Sequence, residues 1–257
     1  MYNERIWIAF CTIVFKEVTR FTRIWVQTLI PPAISMTLYF VIFGTLIGTR
    51  IGKMDGINYI DFIAPGIIMM SVMNNSYANV VSSFFGAKFQ NHIEEMLVAP
   101  IPNIVILIGY VTGGVVRGFL VGIVVTIVAM FFTDLTVHNY TITFSVILLT
   151  SILFSLGGMI NGVFAKKFDD ISIIPTFVLT PLVYLGGVFY SIDLLPEFWQ
   201  NVSSLNPILY MVNAFRYGML GVSDINLSTA ITILLIMTIT LFFICHYLLN
   251  KGIGIKS

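Results

Sequence analysis

Six stretches of this chain run for about 20 residues or more with almost no charge: 24–47, 62–85, 104–132, 140–165, 171–190 and 225–249. At 1.5 Å per residue, about 20 helical residues cross a hydrocarbon core roughly 30 Å thick. A helix bonds its own backbone in lipid, so each stretch is predicted to be a transmembrane α-helix. A membrane barrel would show strands of about 10 residues with alternating faces. These stretches are apolar all round, which excludes it. Composition narrows the class further. Of 257 residues, 58% are hydrophobic and 10% charged. A soluble domain carries about 25% charged residues, so this chain has too few to wet a surface of its size. A net charge of +1 with no basic stretch excludes a nucleic-acid surface. Cys11 and Cys245 lie near opposite ends and suit neither a disulfide scaffold nor a metal-spaced cluster.

The cations set the orientation, because Lys and Arg collect in cytoplasmic loops. With the N-terminus inside, Arg5, Lys16, Arg20, Arg23, Lys88, Lys166, Lys167, Lys251 and Lys256 fall inside. Arg50, Lys53 and Arg216 fall outside, and Arg117 lies within a span. Both termini are therefore expected in the cytoplasm, in keeping with an even number of spans. The first span is too long for the apolar region of a cleavable signal, and is expected to remain as an anchor.

Residues 1–23 carry Ile6, Ala9, Phe10, Ile13, Val14 and Phe21 at helical spacing, with Glu4, Lys16, Glu17, Arg20 and Arg23 as a polar side. This pattern predicts an amphipathic helix at the inner membrane interface, with a cytoplasmic extension of the first span as the alternative. Two connections are long, a cytoplasmic one over 86–103 and an external one over 191–224. The external one is too apolar for a solvated loop. Its two apolar pieces, 194–205 and 207–220, are too short to span, and suggest re-entrant helices broken at Pro207. A single interfacial helix is the alternative. With no repeat or low-complexity tract, the simplest division is one membrane domain over 1–257.

Catalytic motifs do not appear. No GxxxxGK[ST] loop occurs, since Gly52-Lys53 is followed by Met54, so the chain shows no ATP site of its own. His92, His138 and His246 lack zinc-protease spacing, and there is no GxSxG elbow. Asp169-Asp170 sit beside Lys166-Lys167, which fits local pairing or head-group contact better than catalysis. Arg117 serves either packing, through pairing or snorkelling, or transport. Gly109, Gly113, Gly114, Gly118 and Gly122 around it give the close helix approach of small residues at four-residue spacing. On the second span, Ser71, Asn75, Asn79 and Ser82–Ser83 share one face. Amides facing lipid are costly, so that face meets either another helix or a wet pathway. In the loop 88–102, Ile93, Met96 and Leu97 share a face behind Glu94 and Glu95, and Pro100 and Pro102 stop the helix. A short acidic-apolar helix of this kind suits docking into a groove on a cytosolic partner.

Four segments carry a resemblance: RIWVQTLIPPAISMT at 23–37, FFGAKFQNHIEEMLVAPIP at 84–102, NGVFAKKFDDISIIPTFVLTPLVYLGGVFY at 161–190 and NPILYMVNAFRYGMLG at 206–221. Together they resemble the ABC-2 type permeases, membrane subunits of ATP-binding-cassette exporters. The resemblance implies an all-α fold of six transmembrane helices behind an interfacial helix, with short re-entrant helices before the last span. It implies that 94–102 is the coupling helix that fits the ATP-binding subunit. Contacts would then come from Glu94, Glu95, Met96, Leu97 and Pro100, with Lys16, Arg20 and Arg23 adding more. It implies a homodimer in the bacterial inner membrane, in contact with lipid. The pathway would be lined by Ser71, Asn75, Asn79 and Arg117. No cofactor would bind this chain, since ATP and Mg belong to the partner, and the substrate would be an amphipathic lipid, glycan or drug. A passive channel or a membrane scaffold without ATP coupling is the competing expectation.

Overall fold

The computed structural model describes residues 2–54 and 56–254, so Lys256 of the orientation count lies outside the described residues. The chain opens with α1 (Tyr2–Arg23), which ends where Ile24 leaves helical geometry and α2 (Trp25–Tyr39) begins. Pro31 and Pro32 remove two backbone donors inside α2. The helix then widens into a π-helical stretch, Phe40–Ile47, before α3 (Gly48–Ile51). A two-residue hairpin follows, β1 (Lys53–Met54) against β2 (Ile57–Asn58), antiparallel with Met54 opposite Ile57.

The longest helix, α4 (Tyr59–Phe89), is the axis of the molecule and is buried on nearly every side. It packs against α6 (Asn103–Ala129), α7 (Tyr140–Phe164) and, further on, α11 (Pro207–Leu220). Between α4 and α6, Asn91 adopts a left-handed φ of 62° and turns the chain into the short α5 (His92–Val98). After α7 come α8 (Asp170–Ile174), a π-helical turn over Pro175–Leu179 and α9 (Thr180–Tyr184). A 3₁₀ turn (Ile192–Leu194), α10 (Glu197–Ser204) and α11 lead to the last helix, α12 (Leu227–Lys251).

Among the described residues, four helical segments are long and apolar enough to cross a membrane: Trp25–Ile51, Asn103–Ala129, Tyr140–Phe164 and Leu227–Lys251. Helix α4 has the length, but Asn74, Asn75 and Asn79 lower its hydropathy. The fifth charge-free stretch differs from expectation. It is helical only over Asp170–Tyr184, roughly 22 Å at 1.5 Å per residue. Pro175 and Pro181 each lack a donor, and Gly187, with φ of 67°, takes the left-handed turn that follows the helix.

The two ends of the bundle can be told apart by their contacts. At one end Asn103 Nδ2 donates to Asn250 Oδ1 at 2.8 Å, and Lys88 Nζ donates to the carbonyls of Val163 and Ala165 at 2.6 and 2.8 Å. The start of α1 joins this end, where Ile6, Trp7 and Phe10 share a groove with Val105 and Ile108 of α6. At the other end the Tyr59 hydroxyl donates to the Phe189 carbonyl at 3.0 Å, and the loop at His138–Asn139 bonds the end of α11. The start of α1, α5 and the end of α12 therefore share one end of the molecule.

Two charges sit where periodicity alone did not place them. Glu17, expected on the polar side of α1, is fully buried. It falls four residues after Ile13 and four before Phe21, both also buried, so it lies on the packed stripe of the helix. Arg216, expected as an external loop cation, is fully buried within α11.

Candidate functional site

The polar face of α4 divides into two parts along its length. Toward the α5 end it closes on α1. Ser83 donates to Glu17 at 2.6 Å, and Arg20 lies 3.4 Å from the same carboxylate. Arg20 also donates to the Asn79 carbonyl at 2.9 Å and to its side-chain oxygen at 2.8 Å. Room for this network comes from α6. A Cβ at Gly113 would sit 2.6 Å from Glu17 Cβ, so only glycine lets α1 approach. Ser82 turns back to bond the Ala78 carbonyl of its own helix.

One turn further along, the face opens. Ser71, Asn74 and Asn75 line a cleft of about 440 Å³ together with Arg117 of α6, residues of α2 from Gln27 to Tyr39, and Thr180, Val183 and Tyr184 of α9. Among the described residues Arg117 donates one hydrogen bond, to Asn75 Oδ1 at 3.2 Å, and its buried Nε, like that of Arg20, has no partner. Three of the four residues read as pathway-lining thus share this cleft: Ser71, Asn75 and Arg117. Asn79 does not, being fully buried against Arg20.

The short helix α5 stands at the end where α1 begins and α12 finishes. Ile93 anchors it, with 1% exposure, and Met96 and Leu97 pack partly on the same apolar cluster. Its apolar face is therefore turned toward the chain itself. Glu94, Glu95, Val98 and Pro100 are exposed. Beside them Glu94, Leu97 and Val98 line a groove of about 450 Å³ with Asn103, Leu249, Asn250 and Gly252. Lys16 and Arg23 are exposed on α1, whereas Arg20 is turned inward.

The sequence model of the ABC-2 type transporter family matches residues 8–220, from α1 through α11. The chain belongs to the ABC-2 type transporter family. It is 59% identical over 251 residues to the inner membrane transport permease YadH of Escherichia coli K12, covering 98% of each chain. It is also 27% identical over 217 residues to nodulation protein J of Rhizobium leguminosarum bv. viciae, covering 83% of each. The nodulation protein J of Rhizobium meliloti is 25% identical over the same length.

Within this ABC-2 chain, Arg216 is the charged residue whose role the sequence least revealed. Its guanidinium donates to the Gly187 carbonyl at 2.6 Å, lies 3.7 Å from Asp224 and covers the Phe62 ring at 3.9 Å. It pins α11 to α4 and to the turn after α9. Asn213, also fully buried, accepts from the Asp224 backbone at 3.0 Å and from Arg216 at 3.4 Å. A cation inside a 14-residue apolar helix, with an aspartate in the following loop, was the available signal.

At the α5 end, Asp170 accepts from the backbone N–H groups of Lys166 and Lys167 at 2.8 and 3.0 Å. These bonds favour the ionised form and hold its carboxyl below the usual carboxylate range.

Proposed function

We propose that this chain is the membrane permease of an ATP-powered exporter in the bacterial inner membrane, working as a dimer with a separate ATP-binding subunit. Six passages cross the bilayer. They are α2 with its π-helical and α3 continuation, α4, α6, α7, the short α8–α9 segment and α12. Both termini are cytoplasmic, α1 lies along the inner interface, and α10 and α11 form the re-entrant region on the outer side. The observation that carries this reading is α5. It is a short helix inside the family match, held by Ile93, that turns Glu94 and Glu95 to solvent beside the α1 and α12 ends.

In this mechanism ATP and Mg stay on the partner. Closure of the partner pulls the α5 helices of the two copies and shifts the dimer between inward- and outward-facing states. The energy difference between those states comes from the ATP-binding subunit, which must bind the two states unequally. The Arg117 cleft is part of the pathway, and the substrate is an amphipathic lipid, glycan or drug. The name of one relative, an inner membrane transport permease, supports transport as the activity.

The test is ATP turnover and complex formation. The purified chain alone is expected to hydrolyse no ATP, and the co-purified complex is expected to do so. Appreciable hydrolysis by the chain alone would overturn the assignment. A Glu94→Ala/Glu95→Ala chain is expected to insert normally and to lose coupling. Normal complex formation and export in that variant would remove α5 from the docking role.

A further inference from the structure

The cleft at Arg117 supports a statement about ligand chemistry that rests on the transport reading above. Arg20 has Glu17 as its counter-ion, and Arg216 has Asp224. Among the described residues Arg117 makes no ion pair. Its one hydrogen bond goes to a neutral amide. The other cation on this polar face of α4 is Arg20, bound to Asn79 one turn along from Asn75, and it carries the same sign. The Glu17 carboxylate is already held by Arg20 and Ser83.

The rest of the lining is uncharged. Thr28, Ser71 and Asn74 offer hydroxyl and amide groups, and Met36 and Val183 offer apolar surface. The volume of about 440 Å³ suits a head group rather than a whole lipid. A guanidinium presents a planar fork of donors that matches two oxygens of one anionic group. A cation in an apolar setting is costly unless something opposite pairs with it. We propose that this cleft binds the anionic group of an amphipathic substrate, a phosphate ester or carboxylate, with Arg117 as its counter-ion. A neutral glycan without such a group gains nothing from Arg117, and a cationic amphiphile is repelled by it.

The test uses the full chain in complex with its ATP-binding subunit. Native mass spectrometry measures binding of phosphatidic acid, phosphatidylcholine and a trimethylammonium lipid with identical acyl chains. The wild-type complex is expected to bind phosphatidic acid at least tenfold tighter than the other two. Arg117→Gln is expected to erase that preference, and Arg117→Lys to keep most of it. Equal binding of the lipids by wild type, or an unchanged preference in Arg117→Gln, would overturn the proposal.

Should Arg117→Gln not assemble, Asn74→Asp carries the same test. A carboxylate in the lining is expected to weaken phosphatidic acid binding at least tenfold, and unchanged binding contradicts the site. Inorganic phosphate is added as a competitor. Competition at millimolar concentration assigns recognition to the phosphate alone, and its absence assigns it to the phosphate with its lipid tail; both support an anion site. Co-purification of the ATP-binding subunit is scored separately. Its loss, with the lipid preference intact, would overturn the ATP-coupled reading and leave the anion site standing.

Discussion

Arg117 and Arg216 face the same physical problem, a guanidinium held among apolar helices, and the fold treats them in opposite ways. Around Arg216 the chain itself supplies a counter-ion. A carboxylate, a backbone carbonyl and an aromatic face meet the cation, and the residue has no exposure at all. Around Arg117, among the described residues, it supplies none: one amide bond and an open cleft meet the cation. Desolvating a charge costs several kcal/mol unless partners replace the lost water. The closed site meets that requirement from within the chain. In the proposed reading, the open site leaves it to a ligand that enters the cleft. One arginine is therefore a fastener between α11, α4 and the turn after α9, and the other is the one we propose as a working group.

The largest expected effect breaks the closed site. Arg216→Met strands Asp224 and the Gly187 carbonyl, and is expected to cost about 3–5 kcal/mol. A thermal melt of the purified chain in detergent measures this, and a melt equal to wild type would show that Arg216 fastens nothing. Next comes the seat of α1. Gly113→Ala puts a Cβ against Glu17 and is expected to cost about 1–3 kcal/mol. It leaves Arg117 in place, so ligand binding at the cleft should survive in whatever fraction remains folded.

The open site should respond the other way round. Arg117→Gln removes one hydrogen bond to Asn75 and is expected to lower stability by only about 1 kcal/mol, while transport by the complex is lost. A collapse of stability similar to that of Arg216→Met would erase the distinction between the two arginines. The smallest effect lies outside both sites. The folded pKa of Asp170 is depressed, so its contribution is complete above the usual carboxylate pKa and fades as pH falls through the depressed value. Melts of wild type and Asp170→Asn should differ slightly at neutral pH and converge in acid.

How much of this was legible in the sequence depends on whether the partners are local. Charge-free stretches found the helices, and the break at Pro207 separates α10 from α11 as the sequence suggested. Ile93 with Glu94–Glu95, closed by Pro100, marked α5 because a helix with its stop signals is a local pattern. In the fifth stretch the helix was read too long, since hydropathy does not register the donors missing at Pro175 and Pro181. Glu17 was placed by its charge rather than by its spacing from Ile13 and Phe21. Arg216 was placed by the positive-inside count, although Gly187 and Phe62, far off in sequence, hold it. For Arg117 the sequence left packing and transport open. Only the absence of a carboxylate partner among the described residues separates it from Arg20 and Arg216.

Thiol labelling tests the contrast most directly. With Cys11 and Cys245 replaced by serine, single cysteines are placed at Asn74 in the cleft and at Asn213 beside Arg216. Each is reacted with an anionic and a cationic methanethiosulfonate of similar size. The account predicts that the cysteine at 74 reacts, and faster with the anionic reagent. Arg117→Gln should remove that bias, and the cysteine at 213 should resist both reagents. A cysteine at 74 without charge preference, or one at 213 that labels as readily, would contradict it.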